Sequence, residues 1–177
     1  MQFAETPIPG VWIVDGPAFA DERGSLFPAW VQSDFAARGL ETGIAQVTMA
    51  TNHQRSTLRG LHYQASPMEE VKVIRAVRGA VYDVVVDLRP DSPTFCRWTG
   101  VELSADNRRM LYVPRGFAHG YQTLTDDTEI VYLVSTPYSP GHQRGVRWDD
   151  PAFGIAWPLG APAVIHPRDA AYPDFRR

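Results

Sequence analysis

Side chains able to bind an anion or move a proton are set among apolar residues at strand spacing in several stretches of this chain. The densest is Leu58-Arg59-Gly60-Leu61-His62-Tyr63, which places a guanidinium, a permissive backbone position and an imidazole within four residues. A second histidine closes Pro114-Arg115-Gly116-Phe117-Ala118-His119-Gly120, expected as a loop. Lys72 falls on a strand whose neighbours Val71, Val73 and Ile74 are apolar, and a lysine directed inward needs an anion. Tyr132 lies among Ile130, Val131, Leu133 and Val134, where a phenol is most often core with its hydroxyl bonded. An imidazole titrates near neutrality, so His62 is open to three readings: proton-transfer group, metal ligand or satisfied core residue.

These residues sit on a chain that reads as strand after strand. Val11 to Val14, preceded by Pro7 and Pro9, is expected as an edge strand, where proline is tolerated. Asp34 to Gly39 is the clearest short helix, with Ser33 as its N-cap and Gly39 as its stop. Strands follow at Gln46–Met49, Leu58–Tyr63, Val71–Val77, Val81–Leu88, Arg97–Leu103, Met110–Val113 and Glu129–Ser135. On Val81–Leu88 the pleat puts Asp83 and Asp87 on one face and Tyr82, Val84, Val86 and Leu88 on the other. Two carboxylates on such a strand need partners. With 15 prolines and 14 glycines between the strands and no linker or repeat, a single all-β jelly-roll domain over 1–177 is expected.

Composition narrows the partners. The net charge is −3, so nothing global advertises nucleic acid or an anionic membrane, and an anionic ligand must be met by local arginines. A single cysteine, Cys96, forms no internal disulfide, and the start lacks a basic stretch followed by a long apolar one, so the cytoplasm is expected. No apolar run is long enough for a transmembrane helix. The chain has no GxGxxG, P-loop, HExxH or CxxC, which argues against a Rossmann phosphate loop.

Gly60-x-His62 and Pro114-x-Gly116-x-x-His119 resemble the two half-motifs of the cupin superfamily. Metal cupins supply two histidines as HxH and a later glutamate; here the second histidine position is Gln64, so that triad is incomplete and His62 with His119 alone argues against an iron or zinc site. The strings DERG, LRGLHYQ, KVIRAVRGAVYDVVVDLRPDSPTF, VPRGFAHGY, IVY and PRD are similar to the dTDP-4-dehydrorhamnose 3,5-epimerase family, the non-metal cupins of deoxysugar-nucleotide biosynthesis. The likeness runs from about Pro7 to Asp169.

The resemblance implies a cupin jelly-roll with a few short helices, no cofactor and no metal, and a dimer that exchanges an N-terminal strand. It also implies a dTDP-4-keto-6-deoxyhexose substrate, epimerised at C3, C5 or both by proton removal alpha to the C4 ketone. His62 matches the base, Asp169 the carboxylate behind it, Lys72 the enolate-stabilising cation and Tyr132 the acid on the opposite face. His119 matches a second active-site histidine with Asp83 as its partner. Arg23 and Arg59 match diphosphate-holding positions, Gln46 a substrate-side polar residue, and Tyr138 a tyrosine near the sugar.

The chain departs from the family at Pro28, Thr48, Ser56-Thr57, Gln143 and Arg168, where glutamate, asparagine, glycine-valine, glutamate and lysine are common. Gln143 and Arg168 belong to the substrate rim, so chemistry is expected to be kept while substrate handling drifts. That drift resembles the antibiotic-deoxysugar branch, which includes C3-only and C5-only enzymes. Two other readings remain open from the residues: a metal cupin, and a sugar-nucleotide-binding cupin without turnover.

Overall fold

The computed structural model describes residues 1–176, and they form the expected all-β jelly roll with two short helices. The first sheet runs in the order β1 (Gln2–Glu5), β2 (Trp12–Asp15), β10 (Met110–Val113), β7 (Lys72–Arg78), β12 (Thr128–Val134), β5 (Gln46–Asn52). The second runs β13 (Gln143–Gly145), β6 (Thr57–Gln64), β11 (Phe117–Thr123), β8 (Ala80–Asp87), β9 (Trp98–Ser104). β14 (Val164–Ile165) adds to β6 in parallel, at the end of the strand away from β13. A separate hairpin, β3 (Phe19–Asp21) with β4 (Gly24–Leu26), stands apart from both sheets.

The central strands carry apolar residues on both faces because both of their faces are covered. Between the sheets lie Ile74, Ala76, Val81, Val85, Leu103, Leu111, Phe117, Tyr121 and Ile130. Behind the second sheet, the segment after Pro140 packs Val146, Phe153 and Trp157 onto Leu58, Leu61, Val84 and Val86. Behind the first, α1 (Gln32–Ala36) seats Phe35 on Val14, Val71, Val73, Met110 and Tyr112. A fully buried Val, Leu, Ile or Phe among them contributes about 1.5–3 kcal/mol relative to exposure.

Three local expectations are corrected. The strand around Val11–Val14 is not at the edge: β2 is held on both sides, by β1 and β10 of the same chain. Helix α1 begins at Gln32, with Val31 rather than Ser33 at its N-cap and no side-chain cap. Packing of Phe35 and an ion pair between the Met1 amine and Asp34 hold the helix instead, and Gly39 at φ 68° stops it. His119 lies not on a loop but within β11, every residue of which is buried. Apolar neighbours on both faces override the Pro and Gly signals that precede it.

Asp83 and Asp87 share the inward face of β8, as the pleat requires, and both are fully buried. Asp87 is satisfied locally. Arg89 Nη2 donates to it at 2.7 Å and Arg89 Nε at 2.9 Å, joined by the Ser92 hydroxyl at 2.5 Å and the Thr94 hydroxyl at 2.7 Å. Burial alone would raise this carboxyl; the arginine, serine and threonine donors outweigh it and bring it to about 2.

Because the folded value lies below the unfolded one, the stabilisation is present above about pH 4 and lost as pH falls through about 2. Asp87→Asn should therefore cost about 2 kcal/mol at neutral pH, with most of the deficit gone by pH 2. Urea unfolding of both proteins at several pH values measures this; a deficit that does not change with pH would contradict it.

Candidate active site

The site is organised by a break in the pleat of β6. Leu58 and Leu61 are three residues apart yet pack into the same outer cluster, which strict alternation forbids. The pairing of β6 with β11 shifts register between His119 and Tyr121, opposite Gly60. Gly60 has φ 122°, and a Cβ there would lie 2.6 Å from Gly120 Cα and 2.8 Å from the His119 carbonyl oxygen. A Cβ on Gly120 would in turn lie 2.7 Å from the Arg59 carbonyl oxygen. Two facing glycines thus let the backbones touch and the strand change phase. Arg59 and His62, also three apart, consequently face the same cleft.

His62 and His119 are direct cross-strand partners, and each imidazole is held by a carboxylate. His62 Nε2 lies 2.8 Å from Asp169 Oδ1, and His119 Nε2 lies 2.9 Å from both oxygens of Asp83. Asp169 belongs to α2 (Pro167–Ala170), where His166 caps the helix through its side chain. The Gly60 N–H donates to Asp169 Oδ2 at 3.3 Å and Arg168 Nε to Oδ1 at 3.2 Å. Burial would push the Asp169 carboxyl up; His62, Gly60 and Arg168 prevail, and it lies below the usual range. It stays an anion against His62.

The opposing wall comes from the first sheet. Across β5, β12 and β7 the register aligns Gln46, Val134 and Lys72 in one row and Thr48, Tyr132 and Ile74 in the next. The Tyr132 ring meets His119 edge-on at 6.1 Å and Tyr121 at 6.5 Å. Burial foremost, then the Tyr121 hydroxyl and the Asp83 charge, hold the Tyr132 phenol well above its ordinary value, so it keeps its proton near neutral pH. Lys72 Nζ pairs with Glu70 Oε1 at 2.8 Å.

His62, His119, Lys72, Tyr132, Gln46, Tyr138 and Gln143 line one cavity of about 280 Å³. A groove of about 830 Å³ adjoins it through the shared residues Thr48, His62 and Tyr132, and holds Arg59, Arg168 and Asp169. Its Arg59 is oriented by Asn52 Oδ1 at 2.7 Å and the Thr51 carbonyl oxygen at 3.1 Å. The rim is a polar chain. Tyr138 donates its hydroxyl to Gln143 Oε1 at 2.6 Å, Arg168 Nη1 reaches the same oxygen at 3.3 Å, and the Tyr138 N–H donates to Gln46 Oε1 at 3.2 Å.

Of the residues singled out in the sequence, Asp83 stands behind His119 rather than on the cavity wall, and Arg23 lies outside both cavities of its own chain. Arg23 lies on the exposed β3–β4 hairpin, paired with Asp21 at 2.5 Å. Gln64, at the position of a second metal ligand, is buried and fully used: its amide donates to the Met68 and Pro137 carbonyl oxygens and its oxygen accepts from the Ser139 N–H. Among the described residues no three His, Cys, Asp or Glu side chains come together as a metal-binding group, and no helix is long and apolar enough to cross a membrane.

Sequence reading missed Glu70, Tyr121 and Asn52. Glu70 was legible from its two-residue spacing to Lys72; Tyr121 and Asn52 became visible only through the shift at Gly60, with the Tyr121 hydroxyl 3.2 Å from Asn52 Oδ1.

Residues 5–177 match the family model described as dTDP-4-dehydrorhamnose 3,5-epimerase. The enzyme of that name from Sinorhizobium fredii is 40% identical over 175 residues, covering 99% of this chain and 90% of that protein. The dTDP-4-dehydrorhamnose 3,5-epimerase of Bacillus anthracis, solved with TDP and PPi bound, superposes with a TM-score of 0.95 at 37% identity, over 98% of this chain and 99% of that one. ChmJ, a 3'-monoepimerase from Streptomyces bikiniensis solved with dTDP-quinovose, gives 0.88 at 37% identity, over 96% of this chain and 85% of that one.

Gly60→Ala should cost about 3 kcal/mol, because its Cβ meets backbone on the facing strand and its φ is strained. Thermal unfolding by circular dichroism tests this; an unchanged midpoint would show that the strands do not need the contact.

Proposed function

The chain belongs to the dTDP-4-dehydrorhamnose 3,5-epimerase family, and on that premise we propose that His62, Asp169, Lys72 and Tyr132 carry its reaction. The protein is an isomerase of dTDP-4-keto-6-deoxyhexoses, acting at carbons beside the C4 ketone. Inversion at such a carbon requires proton removal on one face, stabilisation of the enolate oxygen, and proton return on the other face.

One observation carries the assignment. His62 stands on the second sheet and Tyr132 on the first, so an imidazole and a protonated phenol face each other across one cavity. His62 takes the alpha proton, and the Asp169 anion orients the ring and balances the imidazolium. Lys72 stabilises the enolate oxygen; Tyr132 returns a proton from the opposite side. His119, fixed by Asp83, adds a second imidazole beside the base.

The adjoining groove takes the nucleotide. Arg59 suits bidentate contact with the diphosphate, and Arg168 serves the same lobe. Gln46, Tyr138 and Gln143 form the rim over the sugar, where the choice among C3, C5 and both is made.

The whole chain, 1–177, acts as one epimerase unit in a homodimer. The β3–β4 hairpin exposes Phe19 at 65% and Leu26 at 78%, and β5, the last strand of its sheet, exposes Val47 at 58% and Met49 at 62%. Such apolar surface beside an open strand edge fits a second copy. The hairpin of one protomer laid along β5 of the other carries Arg23 toward the partner's diphosphate groove. Exchange therefore belongs to this hairpin, not to β2.

Solvent deuterium should enter dTDP-4-keto-6-deoxyglucose at C3, C5 or both, read by NMR; no incorporation with any dTDP-4-keto sugar would refute the reading. His62→Ala should reduce wash-in by more than about 10³-fold, while Tyr132→Phe should keep wash-in and impair inversion. Light scattering should give the mass of two chains. Mixing inactive Arg23→Ala with inactive His62→Ala should restore activity, since a mixed dimer would hold one complete site; no recovery would place Arg23 elsewhere.

A further inference from the structure

We infer that Glu70 is a positioning residue that fixes the Lys72 ammonium at the sugar cavity. The inference rests on the reading of Lys72 as the enolate-stabilising cation. Glu70 is the one carboxylate among the residues lining the inner cavity, and its Oε1 lies 2.8 Å from Lys72 Nζ. The two side chains are 13% and 14% exposed, so the pair is shielded from the water that would weaken it at a surface.

The backbone that carries Glu70 is itself fixed. Thr136 Oγ1 donates to the Glu69 carbonyl oxygen at 2.8 Å, and the Val71 N–H donates to Ser135 Oγ at 2.8 Å. The Ser135 N–H donates to the Val71 carbonyl oxygen at 3.0 Å. Both flanks of Glu70 are thus tied to the end of β12, the strand that bears Tyr132. In extended backbone, residues two apart project to the same side, which aims Glu70 and Lys72 into one space.

A lysine head on four freely rotating carbon–carbon bonds is a poor preorganised donor. One N–H anchored on Glu70 leaves two others directed by that anchor toward the position of an enolate oxygen. The anchor is also an anion close to where negative charge develops. Its benefit is therefore geometric, and it should show in turnover rather than in affinity.

Deuterium wash-in kinetics on the full-length protein, with dTDP affinity from calorimetry, test this. Glu70→Gln should lower kcat about tenfold, and Glu70→Ala somewhat more, with KM and dTDP affinity within about twofold of wild type. Lys72→Met should lose far more, and the double variant Lys72→Met/Glu70→Gln should be no worse than Lys72→Met alone, because Glu70 acts only through the lysine. Wild-type kcat in both Glu70 variants beside a crippled Lys72→Met would overturn the positioning role and leave the Lys72 reading intact. Additive losses in the double variant would also overturn it. An active Lys72→Met would instead overturn the reading of the lysine itself. Glu70→Gln is nearly isosteric and should melt with wild type, which separates positioning from folding.

Discussion

The site depends on the contact between Gly60 and Gly120. β6 brings the Arg59 guanidinium and the His62 imidazole to one cleft while burying Leu58 and Leu61 on the other side. A regular strand with alternating faces cannot do this with residues at those positions. The phase shift opposite β11 resolves the conflict, and only residues without a Cβ permit the backbone approach that accompanies it. The same shift presents the Gly60 N–H to Asp169, so the carboxylate behind His62 is held by the irregularity that positioned His62.

The remaining geometry follows from a cavity bounded by two sheets. His62 and Tyr132 line that cavity from opposite sheets, with strands beneath both. The electrostatics are asymmetric. On one side, carboxylates paired with imidazoles supply anionic support; on the other, Tyr132 keeps its proton because burial disfavours the phenolate.

Much of this was legible in the sequence where periodicity was unbroken. Val81–Leu88 showed its two faces correctly, Lys72 was assigned inward, and the family motifs marked His62, Asp169 and Tyr132. Sequence failed where tertiary context overrode local signals. His119 looked like a loop residue because Pro114 and Gly116 precede it, yet burial on both faces makes Phe117–Thr123 a strand. The N-terminal strand looked like an edge because nothing local revealed that residues 2–5 would cover it. Arg23 carried a motif, yet it stands on the exposed β3–β4 hairpin, paired with Asp21 and outside the cavities of its own chain. Ser33 has the right type for a cap, but the packing of Phe35 set the start of the helix.

Gln64 adds a constraint on what this scaffold can become. Its amide ties the backbone at Met68 and Pro137 to β6, and its oxygen holds Ser139 beside the rim tyrosine, Tyr138. A histidine there would complete the HxH pair of a metal cupin, but it could not replace three hydrogen bonds made in two directions. The lineage therefore faces a fork: the residue that would recruit a metal is the one that ties down the loop carrying Tyr138. Acquiring metal chemistry would require rebuilding residues 137–139 at the same time, a coupled change that single substitutions do not reach.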